Sequence, residues 1–358
     1  MKRALIIAAL ASLATGLLPA TAASATTQPM APSAHDLTWQ LTSTGVTARL
    51  RGLSVISRRI AWASGSAGTV LRTTDGGRTW QNVSPPGVTD LQFRDIEAFD
   101  ANTAVILSIG EGEASRVYRT TDGGAHWTET FRNTEPLAFY DCLAFFDRRH
   151  GLALSDPVGG KFRVLSTSDG GASWAVLPND GMPPALEGEF AFAASGQCIT
   201  VSGGRDAWIA TGGGAQARVL HSRDRGLHWT GSVTPMASSP SAGVFAVAFR
   251  DRHTGVAVGG DFANPTNGVD ALAFTRDGAR SWVEPMTAPQ GYRSGVTWHP
   301  WFPTVLIAVG PTGSDLTLDA GRHWHQFDAG SFDTVGCAHD GACWASGEQG
   351  RVATLQLS

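Results

Sequence analysis

Charge is what this sequence has least of. Asp, Glu, Lys and Arg supply 16% of its 358 residues, against about a quarter in an ordinary globular chain. Amphipathic helices need charged outer faces, so a common α/β enzyme is disfavoured. Basic stripes are missing as well: the net charge is −4, and two units more negative without Lys2 and Arg3. A nucleic-acid partner is therefore not expected. Tyrosine is rare, with only Tyr118, Tyr140 and Tyr292. The chain has no CxxC pair, zinc-ligand spacing, HExxH, haem-attachment motif or strand–GxGxxG–helix unit, so neither a metal nor a cofactor is expected. Beyond the first residues no apolar run is long enough to cross a membrane. What abounds is glycine (43) and tryptophan (12), which suits short strands joined by tight turns. A hydrophobic content of 42% is ample for a large core.

The first residues read as a secretory signal. Lys2 and Arg3 precede an apolar run from Ala4 to Leu18, and Ala23-Ser24-Ala25 places small residues before a cleavage point after Ala25. Pro19 ends the run short of the roughly 20 residues a spanning helix needs. The expected organisation is a signal over 1–25, a loose Thr-, Ser- and Pro-containing leader over 26–35, and one domain over 36–358. The mature protein is expected to be secreted or held in the cell envelope, and monomeric. Four cysteines in such a chain allow three pairings. Cys337 and Cys343 stand close enough to cross a short hairpin, and Cys142 and Cys198 occupy comparable places in successive repeats, so both pairs are disulfide candidates.

A repeat dominates the rest. Thr73-Thr74-Asp75-Gly76-Gly77-Arg78-Thr79-Trp80 returns around Asp122–Trp127, Asp169–Trp174, Asp224–Trp229, Asp277–Trp282 and, in worn form, Asp319–Trp324. These tryptophans stand 42 to 55 residues apart, the period of a unit of four short strands. Each motif is a turn. The Asp accepts backbone N–H bonds from residues ahead of it, the glycines supply left-handed backbone angles, and the Trp is expected to open the next strand and cover the hairpin. Two further strand-like runs precede most turns, for example Asp95–Phe99 with Ala104–Ser108, and Val244–Phe249 with Gly255–Gly259.

The two chain ends complete the count. After Trp324, residues 332–338, 343–347 and 351–357 supply three strands and no fourth, while Leu37-Thr38-Trp39-Gln40-Leu41 carries the missing Trp with no turn before it. Joining them gives a seventh, composite unit and leaves no long unpaired edge. The fold expected is a single all-β, seven-bladed β-propeller with four strands per blade. The two or three domains that length alone suggests give way to the repeat.

These turns resemble the Asp-box, or BNR, repeat of β-propellers, within the wider group of WD40- and YVTN-like repeats. The run Leu71-Arg72-Thr73-Thr74-Asp75-Gly76-Gly77 is similar to that of the photosystem II stability/assembly factor-like group of secreted propellers. That resemblance implies a non-catalytic scaffold gripping a partner, and the partner expected is a protein or a glycan. Relatives labelled oxidoreductase find no support in the motifs present. The same repeat occurs in sialidases, so a glycoside hydrolase with a site at the central channel is the alternative. A sialidase-like site needs three arginines, a Tyr nucleophile with a Glu, and an Asp acid. Arg59-Ile60-Ala61 lacks the Pro of that family's signature, and Tyr118 leads into a turn strand, the wrong part of a blade.

In a propeller the innermost strands line a channel, and polar residues at their ends are the natural contacts. The binding candidates at the channel mouth are Arg94, Asp95, Glu97, Tyr140, Asp141, Asp156, Glu187, Glu189 and Asp261, with Arg163 and Arg293 to balance them. Several fall in irregular insertions at 156–160, 183–189 and 261–265, where recognition tends to reside. Two carboxyls, or a Tyr–Glu pair, facing each other about 5–10 Å apart in an open pocket favour hydrolysis; a plugged channel favours binding. His126, His228 and His323 are expected on exposed turns. Trp298-His299-Pro300-Trp301 reads as packing rather than a sugar platform.

Overall fold

The computed structural model describes residues 37–357; the signal-like segment and the leader lie outside them. Seven antiparallel sheets succeed one another as blades. In chain order they cover residues 50–82, 92–132, 140–176, 199–233, 242–283 and 295–328, and the seventh joins 334–357 to Leu37–Thr42. Each blade runs outward from an innermost strand: Leu50–Val55, Gln92–Ala98, Tyr140–Phe145, Ile199–Ser202, Ala242–Phe249, Gly295–Trp298 and Thr334–Cys337. The face on which these strands begin is the upper face; the first hairpin of each blade and the Asp turns lie on the lower one.

Closure follows the composite-blade reading. Leu37–Thr42 pairs with Val352–Leu357, placing Trp39 opposite Leu355. Burial fixes the register, because a one-residue slip would turn Trp39, 8% exposed, out to solvent. Its indole donates to Ser314 Oγ of blade six at 2.9 Å, and its ring lies 5.4 Å from Phe332. The outer edge of blade five is the irregular one. Its fourth position is held by a single bridge between Phe274 and Val283; Pro285 follows, and without an N–H it cannot extend the pairing.

The six Asp turns share one bond set. In the first, Thr73 Oγ1 donates to Asp75 Oδ1 at 2.9 Å and accepts from Gly77 N–H at 3.0 Å, while Asp75 Oδ1 accepts from Thr79 N–H at 3.0 Å. The hydroxyl two residues before the Asp is thus a second clamp, which the Asp-centred reading overlooked. The N–H and hydroxyl of Thr79 hold the Asp75 carboxyl at about 2, and His126 does the same for Asp122. Partial burial pushes the other carboxyls up, yet the same bonds bring Asp169, Asp277 and Asp319 to about 2. The histidine side chains at 126, 228 and 323 are 89%, 78% and 42% exposed, as expected. The Trp opens a strand only at Trp229. Elsewhere it wedges between blades, as where Trp127 donates to Val83 O and Trp282 to Ser232 Oγ.

Every turn needs two consecutive left-handed residues, and three copies lack a glycine at one of them: Arg225, Ala279 and Ala320, at φ 63°, 65° and 60°. Ala279→Gly is expected to raise stability by about 1 kcal/mol, seen as a later urea midpoint. Gly278→Ala is expected to lower it, since its methyl would meet the Arg252 carbonyl oxygen at 2.6 Å.

Both cysteine pairs are disulfides. Cys142–Cys198 ties the innermost strand of blade three to the root of blade four, and Cys337–Cys343 closes the lower hairpin of blade seven. Neighbouring blades grip that hairpin: Trp301 Nε1 donates to His339 O at 2.9 Å, and Arg58 N–H to Asp340 Oδ2 at 2.8 Å. The Trp298–Trp301 patch therefore packs, although the Trp301 side remains 52% exposed.

Candidate functional site: the strapped channel

The feature that shapes the channel is the segment 190–197, between blades three and four. It crosses the upper end of the channel as a strap bonded to six blades. Phe190 exchanges both backbone bonds with Gly212 of blade four. Ala191 N–H donates to Asp156 Oδ1 of blade three at 2.8 Å, and Arg94 Nη1 of blade two to Ala193 O at 2.7 Å. Ser195 Oγ donates to Ser294 O of blade six at 2.6 Å. The Gln197 amide accepts from Val296 N–H and donates to Val335 O of blade seven, both at 2.9 Å, and its backbone carbonyl accepts from Val247 N–H of blade five. Phe192 stacks on Phe245 with ring centres 3.8 Å apart. Gly196, at φ +74°, passes so near Asp95 that a Cβ would lie 2.4 Å from its carboxylate, so only glycine fits.

Backbone bulges prepare this crossing. The pairing of the first two strands slips at Arg51, Arg94, Asp141 and Phe245 in blades one, two, three and five, and a bulge re-aims the side chain that it carries. Two of the four, Arg94 and Phe245, meet the strap.

Below Ser195–Gln197 the channel holds a cavity of about 320 Å³. Asp95 and Glu97 line it from one strand, with Thr200, Phe145 and Trp298 on other walls. Burial pushes the Asp95 carboxyl well up, against the N–H bonds of Leu143 and Ile96, and the charge of Glu97 adds to the push. Burial alone brings Glu97 to about 7. Asp141 and Asp156 form a second raised pair. Burial and then the repulsion of Asp156 lift Asp141 well above the carboxylate range, and burial brings Asp156 to about 7. Asp141 Oδ2 is buried without a protein partner.

The candidates therefore do not share one mouth. Arg94 and Asp156 hold the strap, with Asp95 beneath it and Asp141 beside Asp156. Glu97 lies in the lower half of the channel, because the innermost strand descends past it, which corrects its expected place at the rim. Three others stand within the blades and are not channel contacts, and two of them are held there by partners. Glu189 accepts two bonds from Arg218, at 2.8 and 2.5 Å, and one from Thr211. Arg293, fully buried, donates to Asp315 Oδ2 at 2.5 Å. Arg163 stands on the third strand of blade three beside the buried Tyr140 hydroxyl. Glu187 is exposed, and Asp261 caps the Ala263 N–H at 2.9 Å. The upper rim also carries residues that the sequence did not single out. Arg49 holds Asp333 through two bonds of 2.8 and 2.6 Å, and Phe262, 52% exposed, lies 6.2 Å from Phe245.

The geometry can be set against the hydrolase alternative. The two carboxyls lining the cavity come from the same strand, so among the described residues neither is faced by another across it. A Tyr–Glu pair exists, with Tyr118 Oη donating to Glu129 Oε2 at 2.9 Å, but it lies between the outer strands of blade two. Burial raises the Tyr118 pKa, keeping the hydroxyl protonated.

The chain is similar in fold to solved β-propellers. YCF48 bound to D1 peptide superposes with a TM-score of 0.60 at 15% identity, over 88% of this chain and 94% of that one. YCF48 from Cyanidioschyzon merolae gives 0.57 at 16%, over 88% and 98%, and the WD40 β-propeller domain of Doa1 gives 0.56 at 11%, over 90% and 97%. At such identities the likeness is one of fold. No protein-family model matches the chain, and no curated protein sequence matches it.

Proposed function

We propose that this protein is an exported, non-catalytic propeller whose upper face binds a protein partner. The observation that carries the reading is the strap. By spanning the upper mouth it gives that face a platform bonded to six blades, rimmed by the exposed Phe262 ring and by Arg49, whose side chain is 41% exposed. Aromatic and arginine side chains on a rigid frame are the usual anchors of protein interfaces, and a frame bonded this densely loses little ordering entropy on binding. The likeness to YCF48, solved with a peptide bound, supports a polypeptide over a glycan. The two disulfides suit an oxidising compartment outside the cytoplasm.

The test is affinity capture from the envelope fraction of the producing cell with the wild-type chain and with Phe262→Ala/Arg49→Ala. The expected result is a protein retained by the wild type and at least tenfold depleted on the variant. Equal retention by both, or turnover of a fluorogenic glycoside panel by the wild type, would overturn the reading.

A further inference from the structure

The cavity under the strap invites a separate reading, independent of what the upper face binds. It is closed above by Ser195–Gln197 and meets a lower-face recess of about 350 Å³ that shares Glu97 and Phe145 with it. Its 320 Å³ equals the liquid volume of about ten waters. No lysine, arginine or histidine is among its described lining residues. Asp95 is satisfied by two backbone N–H groups, whereas Glu97 receives no hydrogen bond from the described residues and burial is all that acts on it. The charged groups of the adjoining recess are engaged elsewhere. Arg148 donates to the Phe99 carbonyl and to Asp100, and Asp147 accepts from the amides of Arg149 and His150. His339 is the remaining titratable group at that mouth.

A carboxylate with no counter-cation, in a cavity that the strap closes above, is an incomplete ion pair. We propose that the cavity is a binding site for an organic cation: the ammonium group of a short alkylamine, free or at the end of a lysine side chain, enters from the lower face and pairs with Glu97. The aliphatic stem then lies along Leu53, Val201 and Val296, and the rim aromatic Phe145 favours a positive charge passing it; the Trp298 ring already carries the Arg250 guanidinium, 5.4 Å from its centre. Such binding is linked to protons, because the ammonium needs Glu97 ionised.

The experiment is calorimetric titration of the full chain with n-butylammonium chloride and with N-acetyl-lysine amide, at matched ionic strength. With Glu97 titrating at about 7, affinity is expected to fall about tenfold from pH 8 to pH 6, with proton release on binding at pH 7. Glu97→Gln is expected to lose at least tenfold in affinity and all of this pH dependence, while keeping its near-ultraviolet circular dichroism. The exposed Glu284→Gln is expected to bind as wild type. Binding of the lysine derivative as well as the amine identifies a side chain as an admissible source; binding of the amine alone identifies a free ligand. Equal affinity for n-butanol, an equal response to sodium chloride, or a Glu97→Gln variant that binds undiminished would each overturn the proposal.

Discussion

Replacing both Cys142 and Cys198 by serine is expected to lower unfolding free energy by about 4 kcal/mol. The bridge joins residues 56 apart in sequence, and closing a loop of that length removes about that much chain entropy from the unfolded state. The loop contains all of blade three but its first two residues, and the strap. Cys198 immediately follows Gln197, whose side chain bonds to blades six and seven, so the bridge also fixes the root of the crossing. Beyond the lower midpoint in denaturant, hydrogen exchange should quicken first at 190–197. The strap is held by separate bonds to six blades and one stacked ring rather than by a sheet ladder, so removing the bridge at its root loosens it before the strands. An unchanged midpoint, or faster exchange spread evenly over all blades, would contradict this account.

Stability is expected to rise, by several degrees in melting temperature, when the pH is lowered from 8 to 5. Five carboxyls, those of Asp95, Glu97, Asp141, Asp156 and Asp315, are pushed up in the folded chain, chiefly by burial. A carboxyl raised on folding binds its proton more tightly in the native state. Its contribution is full below the unfolded value of about 4 and is lost as pH rises through the folded value, about 7 for Glu97 and Asp156. For one such group the difference is worth about 3 kcal/mol at 1.36 kcal/mol per unit, and less where channel water reaches it. Two histidines, the buried His221 and the half-buried His299, are pushed down by desolvation and oppose the trend below about 6.5. At the acid end the turn aspartates reverse it. Held at about 2, they stabilise above the unfolded value of about 4, and that support is lost as pH falls towards 2. The optimum therefore lies near pH 4–5, and Glu97→Gln should flatten the alkaline limb. A melting temperature that is flat or falling from pH 8 to 5 would refute the burial of these groups.

The architecture was legible because its signals are local and repeated. Asp75 and its five counterparts mark a turn through bonds made within five residues, and the solitary Trp39 declared the strand that blade seven lacked. The channel was not legible, because what shapes it is neither local nor repeated. Residues 183–189 read as an irregular insertion, and the strap behind them was not singled out. Yet Phe190-Ala191-Phe192-Ala193-Ala194 has no charge and two aromatics, a composition that belongs inside. Glu97 was expected at the channel mouth and stands lower on the wall, since strand direction, not residue type, decides which mouth is nearer. The bulges that turn Arg94 and Asp141 leave no trace in composition at all.

The strand Leu37–Thr42 is made before every blade and is the last to find its place. Its partners, Val352–Leu357, are the final described residues, and 275 residues separate Trp39 from Ser314. Six blades can zip up from neighbouring hairpins while the ring stays open, but the clasp must wait for the whole chain and then close its largest loop at once. Until then Trp39 travels uncovered beside a free sheet edge, the kind of surface that draws in another chain. Slow maturation, and exchanged clasps between two copies at high concentration, are the failures to look for during refolding.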